Sequence, residues 1–301
     1  MVRDLSIFSI FIASSLFAQS CTTYAVVDPF NGKTSFGIDG LKAENFEAKA
    51  GSLSLPIVSV KESFNSRVLV LLQIGADPEQ QKMHAEAHAI ADIVRNAPAG
   101  RPIAFGIFAE KTFISPEFAT DPKKRSAAVD EVLDHAIELR GKTSAVYDTL
   151  HDAIAVFGPH QPGDTILLMG DGVDHSSKRN PSDLEKEILS SGARLLVVIE
   201  PDITPMVANT LSGIHVKQVA PGLKFLSSIS GGAFRYAQAG RFLDFAWAGY
   251  LLEIQIQATW DKPKEWQVRI KDASGKINKN AFLYAPLKLA PCSKAIVAKT
   301  P

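Results

Sequence analysis

The sequence is short of most features that mark a specialised chain. It holds only two cysteines, Cys21 and Cys292, in 301 residues, so no disulfide framework shapes it. With 46% apolar residues, a full core is available without disulfides or metals. Neither sign of charge dominates: 32 Lys and Arg balance 32 Asp and Glu, which removes bulk attraction to nucleic acid or an anionic membrane. No stretch beyond the N-terminal segment is apolar for long enough to span a bilayer as a helix. The G-x-S-x-G elbow, the P-loop and C-x-x-C are missing. The G-x-G dinucleotide fingerprint is missing as well, with a single glycine, Gly75, after the first strand of the α/β region.

Residues 1–20 read as a secretory signal. Arg3 supplies a basic start, and Ile7 to Phe17 is apolar but too short to cross a membrane. Ala18 and Ser20 stand two apart, the spacing signal peptidase accepts. The chain is therefore expected to be exported, to the periplasm, the cell envelope or the medium. In an oxidising compartment an isolated pair of cysteines bonds, which predicts a Cys21–Cys292 disulfide. The alternative makes Cys21 a lipidated first residue. Against it, Ala18-Gln19-Ser20 lacks the leucine of a lipobox and carries a bulky polar glutamine.

Residues 66–250 alternate between two periodicities. Arg67 to Gln73 (RVLVLLQ), Asp164 to Met169 (DTILLM) and Arg194 to Glu200 (RLLVVIE) are short apolar runs, as expected of strands covered on both faces. Pro102 to Ala109 reads as another strand, with Thr112 to Phe118 returning as a hairpin, and Ala233 to Ala237 as a short last one. Between them lie helical stripes: Met83, Ala87, Ile90 and Val94; then Val129, Val132, Leu133, Ala136 and Ile137; then Val146, Leu150, Ile154 and Phe157. Asp121-Pro122 opens the second helix and Gly141 ends it. Asn180-Pro181 opens another, with a Ser182–Glu185 capping-box pattern. Leu223 to Ile229 and Arg241 to Tyr250 complete the helices. The alternation predicts a mostly parallel central sheet with helices on both faces.

The flanks differ. Residues 21–65 are β-rich and turn-rich, and 251–290 hold the alternating stretches LLEIQIQA, WQVRIKD and NAFLYAP; a tail, 291–301, follows. Neither flank has strands enough for a stable sheet. Together they are expected to form a small discontinuous antiparallel sandwich into which the α/β domain is inserted.

Several motifs in this order resemble the von Willebrand factor type A family. Asp164 to Ser177, DTILLMGDGVDHSS, resembles a family segment reading like IVLLTDGEDNSS; Gly141 to Leu150, GKTSAVYDTL, resembles GGTALYDAL. The stretch from Thr23 to Gly51 resembles the leader of a bacterial VWFA-related subgroup, as do Phe118-Ala119-Thr120-Asp121 and the last helix running into Tyr250. The resemblance implies a Rossmann-like α/β domain that binds another protein and performs no catalysis. It also implies a metal-ion-dependent adhesion site: a D-x-S-x-S run after the first strand, a threonine on the next loop, and an aspartate after the fourth strand. These hold Mg²⁺ through oxygen ligands, at the strand ends where open α/β sheets bind ligands.

Carried over residue by residue, Thr143 matches the threonine and Asp171 the last aspartate. The first motif falls on Gln73, Gly75 and Asp77, so the leading aspartate is a glutamine and the first serine a glycine. The metal set is then Asp77, Thr143 and Asp171, a degenerate one for which no cofactor, or at most weakly held Mg²⁺, is expected. The binding loops comprise Gln73, Gly75, Asp77, Thr143, Ser144, Asp171 and Asp174. Plainer roles stay open. Thr143 or Ser144 caps a helix, Asp171 shapes a turn, and Asp77-Pro78 starts the first helix. His84 and His88, four apart, lack the glutamate directly after the first that a zincin needs. The Asp171, Asp174, His175 loop is like that of a metallophosphatase, and a metal-dependent hydrolase using Asp171 is the alternative function. Trp247, Trp260 and Trp266 read as core or sandwich residues.

Overall fold

The computed structural model describes residues 21–33, 37–62, 65–74, 80–139, 143–199, 217–218, 220–236, 243, 246–256 and 260–292. The chain enters through β1 (Cys21–Asn31), β2 (Phe46–Ala50), β3 (Leu53–Ser54) and β4 (Ile57–Glu62). The alternating region runs β5 (Val68–Gln73), α1 (Gln80–Arg95), β6 (Ile103–Phe108), β7 (Thr112–Ile114), α2 (Pro122–Asp134), α3 (Val146–Val156), β8 (Thr165–Gly170), β9 (Val173–Asp174), α4 (Pro181–Ser191), β10 (Arg194–Ile199), β11 (Lys217–Gln218), α5 (Ala220–Ile229) and β12 (Phe234–Tyr236). It leaves through β13 (Tyr250–Ile256), β14 (Lys264–Glu265), β15 (Gln267–Ile270), β16 (Ala281–Tyr284) and β17 (Lys288–Leu289).

Among the described residues the central sheet has the order β12-β10-β8-β5-β6-β7. Its ladders are parallel except for β7, which returns antiparallel on β6. Counted along the α/β region this is 3-2-1-4-5-6, the doubly wound order, and the direction of winding reverses between β5 and β8. Strands β5, β6 and β10 are buried along their whole length, because helices cover both faces. Side-chain alternation divides the core accordingly. Val68, Val70 and Leu72 pack with α1 and α2, while Leu69 and Leu71 pack with α3, α4 and α5.

The helix starts follow local chemistry. The Asp121 carboxylate accepts the Lys123 and Lys124 N–H groups at 3.0 Å each, ahead of Pro122. At α4 the capping box joins Asn180 and Asp183, not Ser182 and Glu185, because Asn180 is the residue with extended backbone. Ile137, expected in the buried stripe of α2, is 71% exposed. The helix tightens to a 3₁₀ turn over His135–Ile137, which changes the angular phase of the stripe. Tyr250, expected to end the last helix, instead opens β13; of that helix span only Leu243 and Ala246 are described as helical. The break falls at Gly249, with φ of 100°, where a Cβ would sit 2.7 Å from the Val27 carbonyl oxygen.

Beneath the sheet, at the amino ends of β5 and β8, lies a buried ion pair. Arg67 Nε and Nη2 donate to the two Asp164 carboxylate oxygens at 2.9 and 2.6 Å. The guanidinium also donates to the Phe157 and Pro159 carbonyls and lies 5.3 Å from the Phe118 and Phe157 ring centroids. Asp164 accepts the Gln161 N–H as well.

The flanks share their sheets. One has the order β16-β1-β13-β4, and another the order β15-β2-β3, so each combines strands from both ends of the chain. Their common core includes Val27, Phe46, Leu252, Ile254 and Trp266. Trp266 and Trp260 donate to the Pro286 and Ala290 carbonyls, and Trp247 is buried against the α/β core. Cys21 and Cys292 form a disulfide with Cα atoms 6.0 Å apart. A sulfur engaged in this way cannot also carry a lipid.

Candidate functional site

At the carboxyl end of the sheet, on either side of the point where winding reverses, stand the last residue of β5 and the first after β8. These are Gln73 and Asp171, both buried. Gln73 Nε2 donates to Asp171 Oδ1 and to Ser144 Oγ, at 2.7 Å each, and lies 3.4 Å from the Val173 carbonyl. Its Oε1 accepts the Asp171 N–H. The amide orientation is fixed by these neighbours: acceptors surround the nitrogen and a donor faces the oxygen. The approach is close enough to require Gly170, where a Cβ would lie 2.2 Å from Gln73 Oε1.

Asp171 Oδ1 also accepts the Val173 N–H at 2.8 Å, closing the Gly172 turn. Burial pushes the Asp171 carboxyl above the usual range, opposed by the bonds from Val173 and Gln73 and by the nearby His175. Such a group binds its proton more readily folded than unfolded. Stability is therefore lost as pH rises from the unfolded pKa to the folded one, and is level above it. Asp171→Asn is expected to remove that slope, which denaturant titrations across the acid range would measure.

The hydroxyl that reaches this cluster is that of Ser144. Thr143, which the resemblance matches to the family's threonine, is exposed, and the adjacent Ser144 is fully buried. Neither caps α3. Asp174 Oδ1 accepts the Val146 N–H at 2.8 Å, and Ser177 Oγ accepts the Tyr147 and Asp148 N–H groups at 2.9 and 3.3 Å. The amino end of α3 is thus capped from another loop. Ser177 Oγ donates back to Asp174, and Asp148 accepts the Lys178 and Arg179 N–H groups. Ser144 O receives the His175 and Ser176 N–H groups. The 171–180 loop is tied to α3 at every few residues, which makes a rigid surface. Ser177 and Asp148 lie within motifs visible in the sequence, but their capping and clamping roles depend on tertiary placement.

Gly75 and Asp77 lie outside the described residues. So does the His84 side chain, while His88 is on the exposed face of α1. Asp174 is buried and spent on α3, so it does not join Asp171 and His175 in a metal cluster. Among the described residues no group of three or more His, Cys, Asp or Glu is placed to hold a metal ion. The donor set agrees with this. Mg²⁺ takes oxygen ligands, and here an amide nitrogen already donates to the carboxylate and hydroxyl a cation would need.

No family model matches the chain, and no curated protein matches it. Solved structures do. A conserved hypothetical protein, BatB, from Bacteroides thetaiotaomicron is 15% identical, over 60% of this chain and 94% of that one, with a TM-score of 0.42. A von Willebrand factor type A protein from Catenulispora acidiphila is 13% identical, over 90% and 74%, with a TM-score of 0.43. The manganese-loaded TRAP protein of Plasmodium vivax is 11% identical, over 80% and 96%, with a TM-score of 0.41. The α/β domain itself, with its doubly wound order and its cluster at the winding reversal, has the Rossmann-like architecture the resemblance implies.

Proposed function

We propose that the chain is an exported binding module of the A-domain type, without catalytic activity, whose rigid sheet-end loops contact another protein independently of metal. The observation that carries this is the Gln73 amide. It supplies hydrogen-bond donors, with partial positive charge, to Asp171 and Ser144, where the family places a cation. The contact surface then comprises the rim of this cluster, Thr143 and the 171–180 loop. Its affinity rests on loop shape and hydrogen bonding and survives chelation.

The test compares the native chain with Gln73→Glu. Glutamate is nearly isosteric but places a second carboxylate against Asp171; the two both ionise only with a cation between them, and otherwise hold one proton between them. The variant should lose about 2–4 kcal/mol in EDTA at neutral pH. Millimolar Mg²⁺ or Mn²⁺ should restore part of that by mass action. The native melting temperature should be indifferent to both ions. Micromolar native binding in a calorimetric titration, lost in Asp171→Ala, would refute the reading. Metal-dependent phosphatase or esterase turnover abolished by the same substitution would favour the hydrolase.

A further inference from the structure

The two ends of the central sheet balance their buried carboxylates differently. At the amino end Arg67 neutralises Asp164. At the carboxyl end Asp171 and Asp174 are 6% and 2% exposed. Neither has a Lys or Arg within ion-pair reach among the described residues. The ion pair of this loop, Arg179 with Asp148 at 3.5 Å, involves neither of them.

Asp174 is compensated in another way. Its Oδ1 accepts the Val146 N–H and the Ser177 hydroxyl, at the positive amino end of α3. Asp171 caps no helix, and its two oxygens are unequally used. Oδ1 accepts from Gln73 Nε2 at 2.7 Å and from the Val173 N–H at 2.8 Å. Oδ2 accepts no hydrogen bond among the described residues. It is not one of the fully enclosed polar atoms that lack a partner, so the small exposed part of Asp171 includes it. His175 does not take this oxygen; its Nδ1 faces the Ser144 N–H at 3.5 Å. One carboxylate oxygen at the rim of the cluster is therefore left for a counter-charge that the described residues do not supply. Burial already holds the Asp171 carboxyl above its usual range, and a cation at Oδ2 would offset that cost.

We propose that Asp171 Oδ2 is the anchor point for the partner protein, and that the group it receives is a lysine ammonium. This rests on the binding-module reading and adds the chemistry of the group bound. The geometry selects lysine over arginine. A guanidinium fork grips both oxygens of a carboxylate, and Oδ1 is already occupied by two donors. An ammonium is a compact point charge on a flexible stem and needs only one oxygen. A partner carboxylate meets like charge here and is rejected.

The test uses small probes at low ionic strength. They are n-butylammonium for lysine, n-butylguanidinium for arginine, tetramethylammonium for charge without an N–H, and butyrate for the opposite sign. Each is titrated into the disulfide-bonded chain. NMR follows the Gln73 side-chain amide and the Val173 N–H, which both bond to Asp171 Oδ1. n-Butylammonium should shift both signals with a dissociation constant on the order of 10 mM, as for one charge-assisted hydrogen bond taken alone. n-Butylguanidinium should bind about fivefold more weakly or worse, and the other two probes should leave the signals unmoved. Asp171→Asn keeps an acceptor for Gln73 and Val173 but removes the charge, and should weaken n-butylammonium binding about tenfold or more. The comparison of probes on the native chain needs no variant. Unmoved signals with n-butylammonium, undiminished binding by Asp171→Asn, or a preference for n-butylguanidinium, tetramethylammonium or butyrate would overturn the proposal. The module reading fails separately, through native metal binding or turnover. No ammonium response in a chain whose melting temperature ignores Mg²⁺ would end this inference and leave that reading standing.

Discussion

Reduction of the Cys21–Cys292 disulfide is expected to lower the unfolding free energy by about 5 kcal/mol in the chain-entropy account, in which the effect grows with loop length. The loop here is long, with a sequence separation of 271. The bond joins the start of β1 to the segment beside Trp260, both in the sandwich core. Its loss frees the ends of the sandwich before it reaches the α/β domain. The melting temperature should fall on the order of 10 °C, with Cys21→Ser and Cys292→Ser alike and the double variant no worse than either. Thermal melts with and without reductant measure the change. A free-thiol count on the native protein, alkylated without reductant, checks the premise.

Asp164→Ala is expected to cost about 3–5 kcal/mol, the range for removing one partner of a buried ion pair. The Asp164 side chain is 1% exposed and that of Arg67 15%. Alanine would leave the guanidinium beside two aromatic rings with no counter-charge, and the Gln161 N–H without its acceptor. Arg67→Met combined with Asp164→Ala should be milder than the sum of the single changes, because the stranded charge goes with its partner. Denaturant unfolding of all four species gives the coupling energy. Additive costs would mean that the pair is not coupled. The role of Asp164 is to hold the amino ends of β5 and β8 together, at the opposite end of those strands from Gln73 and Asp171.

Much of this architecture is legible in the sequence, because the sheet is buried on both faces. Runs such as VLVLLQ and RLLVVI have one plausible environment, and Asp121-Pro122 and Asn180-Pro181 announce their helices through side chains next to the backbone they cap. The site is only partly legible. The motifs identify Gln73 and Asp171, but which of Thr143 and Ser144 turns inward depends on backbone direction in the turn before α3. Side-chain chemistry is equally silent there, since both carry a hydroxyl. Asp174 reads as a loop carboxylate available to a ligand, and only the fold shows it capping α3. Ile137 defeats the periodicity argument because the period itself changes.

The disulfide also has a mechanical meaning. Residues 21 and 292 are covalently joined, so tension applied to the chain outside them passes through a sulfur–sulfur bond and bypasses the stretch between. The sheet-end loops and the Gln73 cluster are shielded from such a pull. A load reaches them only from a bound partner, travelling down the parallel strands into the sandwich, where the β1–β13 and β4–β13 ladders are the connections that must yield. An optical-tweezer trace pulled from beyond both cysteines should therefore show no long extension step until reductant is added.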